Sequence, residues 1–368
     1  MSTFCQGVRR TSFSVSLLIL LVLVSSLPPT VRARQSEAAS VVVSAAEASW
    51  APTLSKREEL AFSGQYIASD PALVVEEGIY HLFYTCFIVP ETGFVPEEVR
   101  AGICSATSTD GLTWTEIDTG DATTPGLVLC GIEGSWQENL EAAFVIQVEG
   151  TYLLYYSGYE TEGDPALGFP AKLAVAFSTD GMHFERVSND PILSPTPGWY
   201  DNDAVYSPAV AVAGEELVMV YAGHCYTDCR SGWGVTLLGA TSADGLTWTK
   251  LEQPVLQGTT LGLDWTKDGV GEPALLHGTD GLWHLFFTSL EDATREIGLA
   301  SGATPFGPWT VLERPILQPT PGTFDEGGVL APFVLQEGDR LRMWYLGQTL
   351  GEQAFAIGYA EAPAPPGR

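Results

Sequence analysis

Five stretches of the chain carry one pattern of apolar and polar positions: an apolar run, a short Gly-containing turn, then an aromatic-rich run of alternating bulky residues. They are DPALVVEEGIYHLFYT, EAAFVIQVEGTYLLYYSG, SPAVAVAGEELVMVYAG, EPALLHGTDGLWHLFFTS and APFVLQEGDRLRMWYLG, starting at residues 70, 141, 207, 272 and 331. Each reads as two strands joined by a hairpin. A variable loop follows, then a third strand such as KLAVAFS or EIGLASG, and in the first three units a near-identical turn: STDGLTW at 108, STDGMHF at 178 and SADGLTW at 242. Asp-Gly between apolar runs turns the chain sharply, because Gly tolerates positive φ and the Asp side chain bonds the backbone that follows it.

Four antiparallel strands per unit, five times over, predict an all-β five-bladed β-propeller. The fourth unit replaces the Asp-Gly turn with ATPFGPWTV, and the fifth ends after its third strand, AFAIGYAEAP. The segment SWAPTLSKREE, residues 49 to 59, resembles the outer strands LTWTEID and LTWTKLE and is expected to supply the missing one, closing the ring. The propeller then spans 49–362, followed by a Pro-rich tail, 363–368. Ahead of it, Arg9 and Arg10, the apolar run Val15 to Val24 and VRA ending at Ala33 read as a signal peptide, 1–33, with a linker, 34–48. That apolar run is shorter than the roughly 20 residues of a spanning helix. A secreted, periplasmic or cell-surface protein is expected, with no membrane contact after cleavage.

A net charge of −28, from 17 basic and 45 acidic residues, argues against nucleic acid and anionic lipid surfaces as partners. Five cysteines follow the signal segment: Cys86, Cys104, Cys130, Cys225 and Cys229. In an oxidising compartment HCYTDCR reads as a local Cys225–Cys229 disulfide; the competing reading is a metal site of His224, Cys225, Asp228 and Cys229. Cys86 and Cys104 fall on neighbouring strands and are able to pair, leaving Cys130 over.

The first strand of each blade lines the central tunnel, so its starting residue recurs around the axis: Asp70, Glu141, Ser207, Glu272 and Ala331. Three converging carboxylates raise one another's pKa, the condition for dividing acid and base roles in glycoside hydrolysis. A structural ring, or a calcium ion at the axis, competes for the same oxygens. Loops just ahead, WQEN, WYDND, DWTKDG and FDEGG, are expected to rim the funnel, with Trp136, Trp199 and Trp265 stacking on sugar rings and Asp201, Asp203 and Asp325 binding hydroxyls. The alternative for the tryptophans is packing between blades. Asp203 is a second candidate for the acid, because Ser207 leaves blade three without one.

The stretches SDPALV…GIYHLFYT, SATSTDGLTW and FDEGGVLAPFVLQEGDRLRMWYLG resemble the five-bladed propeller glycosidases of the arabinanase, levansucrase and invertase superfamily, glycoside hydrolase families 43, 32 and 68, over about 300 residues. The resemblance implies Asp70 as base or nucleophile, Glu141 as the modulating carboxylate, and a Glu of blade three as acid. Blade three carries Ser207 instead, and the Glu-Pro pair typical of the acid stands at Glu272 in blade four. With neither an NDPNG-like start nor an RDP motif, the resemblance points to an arabinan- or xylan-type activity on a polysaccharide or oligosaccharide rather than to a fructosidase. A non-catalytic secreted propeller that binds carbohydrate or protein on the same face is the competing reading.

Overall fold

A computed structural model describes residues 40–367 apart from 65–66, 89–98, 121–124, 161–169, 228, 230–233, 291–293 and 350–354. The signal segment 1–33 and Asp228 lie outside the described residues. The chain forms five sheets in sequence order around one axis. Two N-terminal strands, β1 (Val41–Val43) and β2 (Ser55–Lys56), precede blade one, which is β3 (Ile67–Glu76), β4 (Ile79–Ile88), β5 (Arg100–Ser108) and β6 (Thr115–Glu116), with β7 (Leu127–Leu129) also on β5. Blade two is β8 (Asn139–Val148), β9 (Thr151–Tyr159), β10 (Lys172–Ser178) and β11 (Glu185–Arg186). Blade three is β12 (Ala204–Ala213), β13 (Glu216–Cys225), β14 (Gly234–Ser242) and β15 (Thr249–Lys250). Blade four is β16 (Val270–His277), β17 (Trp283–Ser289), β18 (Ile297–Gly302) and β19 (Thr310–Leu312). Blade five is β20 (Gly328–Glu337), β21 (Arg340–Gln348) and β22 (Phe355–Pro363), completed by β2, which pairs antiparallel with β22 at Ser55–Glu361 and Lys56–Ala360. The predicted closure by the N-terminal segment is therefore present, and it leaves blade five with four strands.

The expected linker is not all linker. Val41–Val43 pair in parallel with Thr310–Leu312 and give blade four a fifth strand. Three consecutive valines suit an edge pairing, a preference that three residues alone are too short to advertise as periodicity. At the other end β22 runs to Pro363, and the tail beyond it docks through Ala364 N–H to the Asp339 carbonyl.

Middle strands are apolar throughout because both faces of each blade meet a neighbour: in β9, Tyr152 to Tyr159 are all buried. The recurring turns make that packing continuous. In each, the Ser hydroxyl (Ser108, Ser178, Ser242) accepts the Gly N–H, and one Asp carboxylate oxygen (Asp110, Asp180, Asp244) accepts the two N–H groups after the Gly. Gly111, Gly181 and Gly245 sit at φ between 71° and 74°, where a Cβ is unfavourable. The finished turn grips the preceding blade: Arg342 and Trp344 of blade five donate to the Asp110 and Gly111 carbonyls, and Tyr155 of blade two donates to Gly245. The turns are scaffold, as expected, and specifically inter-blade fasteners.

Removal of the chain up to residue 60 takes away both β1 and β2, and with them one outer strand from each of two blades. The truncated protein is expected to melt well below the full chain, followed by circular dichroism at the β-sheet band; equal melting temperatures would exclude the closure as a source of stability.

Candidate active site at the propeller axis

Each innermost strand interrupts its ladder at one equivalent place, a bulge of two residues: 70–71, 142–143, 207–208, 272–273 and 331–332. The first residue of each bulge has the left-handed conformation although none is glycine: Asp70 at φ 50°, Ala142 at 50°, Ser207 at 47°, Glu272 at 46° and Ala331 at 43°. Such a residue costs on the order of 1–3 kcal/mol. Bulges re-aim side chains, and these five aim theirs at the axis.

This corrects the register in blade two. The ring residue there is Ala142; Glu141 precedes it and is equivalent to Ser69, Tyr206, Gly271 and Leu330. Four ring residues are followed by proline, Pro71, Pro208, Pro273 and Pro332, and blade two has Ala143 in that place. Alignment on the proline column would have given Ala142 from sequence.

Asp70, Ser207 and Glu272 line one cavity together with Ala142, Ala331 and the bulge prolines, and Phe144 and Phe333 floor it, their ring centroids 5.8 Å apart. The depression encloses about 330 Å3 counting its open mouth. Asp70 Oδ2 accepts from Ser69 Oγ at 2.9 Å and Thr85 Oγ1 at 2.8 Å, and that same Thr85 oxygen accepts the Ala142 N–H at 3.0 Å. Blade four repeats the device: Glu272 Oε2 and Thr288 Oγ1 each accept the Ala331 N–H at 3.0 Å. The two acids thus hold equivalent posts, each fixed on one side by a hydroxyl of the second strand and by the next blade's strained amide. Burial raises the Asp70 pKa, against the pull of its hydrogen bonds. Burial, then the Asp70 charge, raises that of Glu272, while Arg295 draws it down.

Glu141, though off the ring, belongs to the same electrostatic cluster. Its two oxygens accept the hydroxyls of Tyr159 and Tyr206 at the boundary of blades two and three. Burial, and after it the negative charge of Asp70, lift it to about 7, with Glu272 adding to the effect. Three carboxyls that resist simultaneous ionisation are therefore present, as the sequence led one to expect.

The loop residues are placed otherwise than expected. Asp201 is fully buried and ion-paired to Lys250, with the Tyr221 hydroxyl donating to it. Asp325 is 1% exposed, paired to Lys56 at 2.6 Å and bonded by Tyr345 at 2.9 Å. Gln137, Arg186 and Tyr156 form the same clamp in blade two. These acids tie the loop to the second and outer strands of its own blade and are not open to a sugar. Trp136 and Trp265 donate their indole N–H groups to the Asn189 and Glu313 carbonyls; Trp265 stacks on Phe287 at 5.8 Å, and Trp136 packs over Gly158. The packing alternative describes both. Trp199 lies edge-on to Tyr200 at 5.1 Å. Asp203 accepts from the Tyr226 and Thr227 amides, the Thr227 hydroxyl and Asn202; burial opposes ionisation, but these donors together bring its pKa below the usual value, the wrong direction for an acid catalyst.

Cys225–Cys229 and Cys86–Cys104 are disulfides, and Cys130, expected to be left over, is disulfide-bonded as well. Among the described residues, the group of metal-ligand type whose ligand atoms lie within 4.8 Å of one another is Asp203, Cys225 and Cys229, and there the two sulfurs are bonded to each other. Asp70, Glu141 and Glu272 do not form such a group.

Both the fold and part of the sequence have counterparts among known proteins. Residues 141–310, blades two to four, match the family model described as Glycosyl hydrolases family 32 N-terminal domain. Solved structures similar in fold include one described as a glycoside hydrolase (TM-score 0.65, 18% identity, covering 86% of this chain and 92% of that one). A thermostable family-43 glycoside hydrolase matches at TM-score 0.61 and 18% identity, with 81% of this chain and 89% of that one covered. The β-1,2-mannobiose phosphorylase of Listeria innocua matches at 0.62 and 15%, over 84% and 96%. No curated protein matches the sequence. The chain thus has the fold of the five-bladed propeller glycoside hydrolases, and its blades two to four carry the family 32 sequence pattern.

Two stability outcomes follow from the geometry. Lys250→Met leaves the buried Asp201 carboxylate unpaired and is expected to cost about 3–5 kcal/mol in denaturant unfolding; a loss under about 1 kcal/mol, the size of an exposed pair, would refute the clamp. Glu141, raised from 4.5 to about 7, favours folding through its protonated form. That contribution is full below about pH 4.5 and is lost as pH rises through about 7. Glu141→Gln does not lose it, so the variant's stability relative to wild type is expected to climb by up to ~3 kcal/mol across that window; a flat difference would contradict the assignment.

Proposed function

We propose that the chain hydrolyses a glycosidic bond of a polysaccharide or oligosaccharide, arabinan- or xylan-type rather than fructan, with Asp70 as base, Glu272 as acid and Glu141 as the carboxyl that modulates them. The observation that carries this reading is the duplicated construction around Asp70 and Glu272, which open on one cavity. Each has one oxygen held by a threonine hydroxyl or a backbone amide, which leaves the other for a reacting proton. Both are pushed toward the protonated form by burial, and the Asp70 charge adds to this at Glu272, so Asp70 is the one to accept a proton and Glu272 the one to donate. Asp70 is the better base because two hydroxyls stabilise its anion. The water that Asp70 would activate would lie in the cavity that Asp70 lines. Asp203, with its depressed pKa, is set aside as the acid.

Disulfides in the described residues support an oxidising compartment, in keeping with export. Calcium at the axis is not part of the reading, since the axial carboxyls form no common ligand group.

The test is a panel of aryl glycosides and of plant and microbial polysaccharides, assayed for reducing ends with and without inorganic phosphate. Asp70→Asn and Glu272→Gln are each expected to lower kcat by about 10²- to 10⁴-fold with little change in KM. Wild-type activity should rise with pH as Asp70 ionises and fall as Glu272 does. Equal rates in all three proteins would remove these roles, and sugar binding without turnover would leave the propeller a binding protein.

A further inference from the structure

The described half-buried cations of this acidic chain have partners, with one exception. Lys56 ends on Asp325, Lys250 on Asp201, Arg186 on Gln137 and the Cys130 carbonyl, and Arg342 on Glu337 and the Tyr359 hydroxyl. Arg100 lies 3.8 Å from Glu138, and Lys172 sits over the Trp136 ring. The Arg295 guanidinium has no hydrogen bond, ion pair or ring contact among the described residues. Its backbone is nonetheless firmly placed. It bridges in parallel to Gly328 and accepts the Val329 N–H at 3.0 Å, two residues ahead of Ala331, whose amide holds Glu272. Its charge bears on the Glu272 carboxyl, which lines the axial cavity, and on the Tyr226 hydroxyl of blade three. A second unsatisfied group faces that cavity: Ser207 is 7% exposed, and its Oγ has no hydrogen-bond partner. Burying a polar group without a partner is costly, and a ligand in the cavity would supply the partner that Ser207 lacks.

We propose that Arg295 binds a carboxylate of the substrate, with Ser207 Oγ bonding a hydroxyl of the same sugar, which narrows the arabinan- or xylan-type reading to a glycan that carries a uronic acid at the cleavage site. A planar guanidinium fork matches a carboxylate in two parallel hydrogen bonds. The hydroxyls of a neutral sugar would accept from the guanidinium but leave its charge uncompensated. The assignment rests on the hydrolase reading for its meaning, and it also supplies a link to the chemistry. A free Arg295 draws the Glu272 proton off; once a substrate carboxylate neutralises it, that pull ends and Glu272 keeps the proton that the leaving group needs.

Binding tests this without turnover. Calorimetry with glucuronate and galacturonate against glucose and galactose, on wild type and on Asp70→Asn, is expected to show the uronates at least about tenfold tighter in both proteins, the gap narrowing with added salt. Arg295→Met, which keeps the apolar stem, should erase the preference while its melting temperature holds, and Arg295→Lys should retain part of it. Uronates binding no better than neutral sugars to wild type, or a preference that survives Arg295→Met, would overturn the proposal. The wild-type comparison stands even if a variant misfolds. Uronate binding by a protein that hydrolyses nothing would sink the hydrolase reading and leave the subsite; hydrolysis of neutral glycans alone would do the reverse.

Discussion

Everything at the axis depends on a strained backbone repeated five times. A strand that ran straight would point its side chains at the neighbouring blades, as the rest of each inner strand does. The bulge with a left-handed residue turns one side chain per blade toward the axis, and the amide that the distortion frees must then find an acceptor. In three places that acceptor is a hydroxyl of the preceding blade: Thr85 for Ala142, Ser157 for Ser207 and Thr288 for Ala331. Strain, cavity lining and inter-blade hydrogen bonding are one device.

Glycine would relieve the strain at all five positions, and none is glycine. At Asp70, Glu272 and Ser207 the side chain puts a polar group on the cavity wall. At Ala142 and Ala331 the methyl group narrows the cavity wall while leaving space in front of the acids. The chain thus tolerates a conformational cost at five positions, offset by packing around them, in order to present two carboxyls from equivalent posts two blades apart by the shorter way round the ring.

Much of this was legible in the sequence, and the misses have physical causes. The five-fold repeat, the closure by residues 49–59, the turns and the convergence of Asp70, Glu141 and Glu272 could be read because strand alternation and Asp-Gly turns are local signals. The register of Glu141 slipped because a bulge adds a residue without altering the apolar pattern around it; only the proline column marks it. Asp201, Asp325, Trp136 and Trp265 looked like ligands because an aromatic-acid pair in a loop reads alike whether it meets sugar or a lysine of the outer strand. Their partners, Lys250 and Lys56, lie 49 and 269 residues away in the chain. Arg295 carried no sequence signal, since what distinguishes it is the lack of a partner among the described residues.

The clamps and the site are connected through the same loops. Asp201 and Asp325 sit in the segments that lead into β12 and β20, a few residues ahead of Ser207 and Ala331, and each fixes where the inner strand begins before it reaches its bulge. In blade two Gln137 does this with Arg186 and Tyr156, an uncharged acceptor in place of a carboxylate. Among its described residues blade four has no such polar set: Phe287 and Val311 stand where blades two, three and five place a tyrosine and a cation, and Trp265 stacks on that phenylalanine. The blade that carries Glu272 is therefore anchored by apolar contact. No fixed carboxylate of a clamp competes with Glu272 for protons there, and the cation beside it, Arg295, comes from the same blade's loop between the second and third strands.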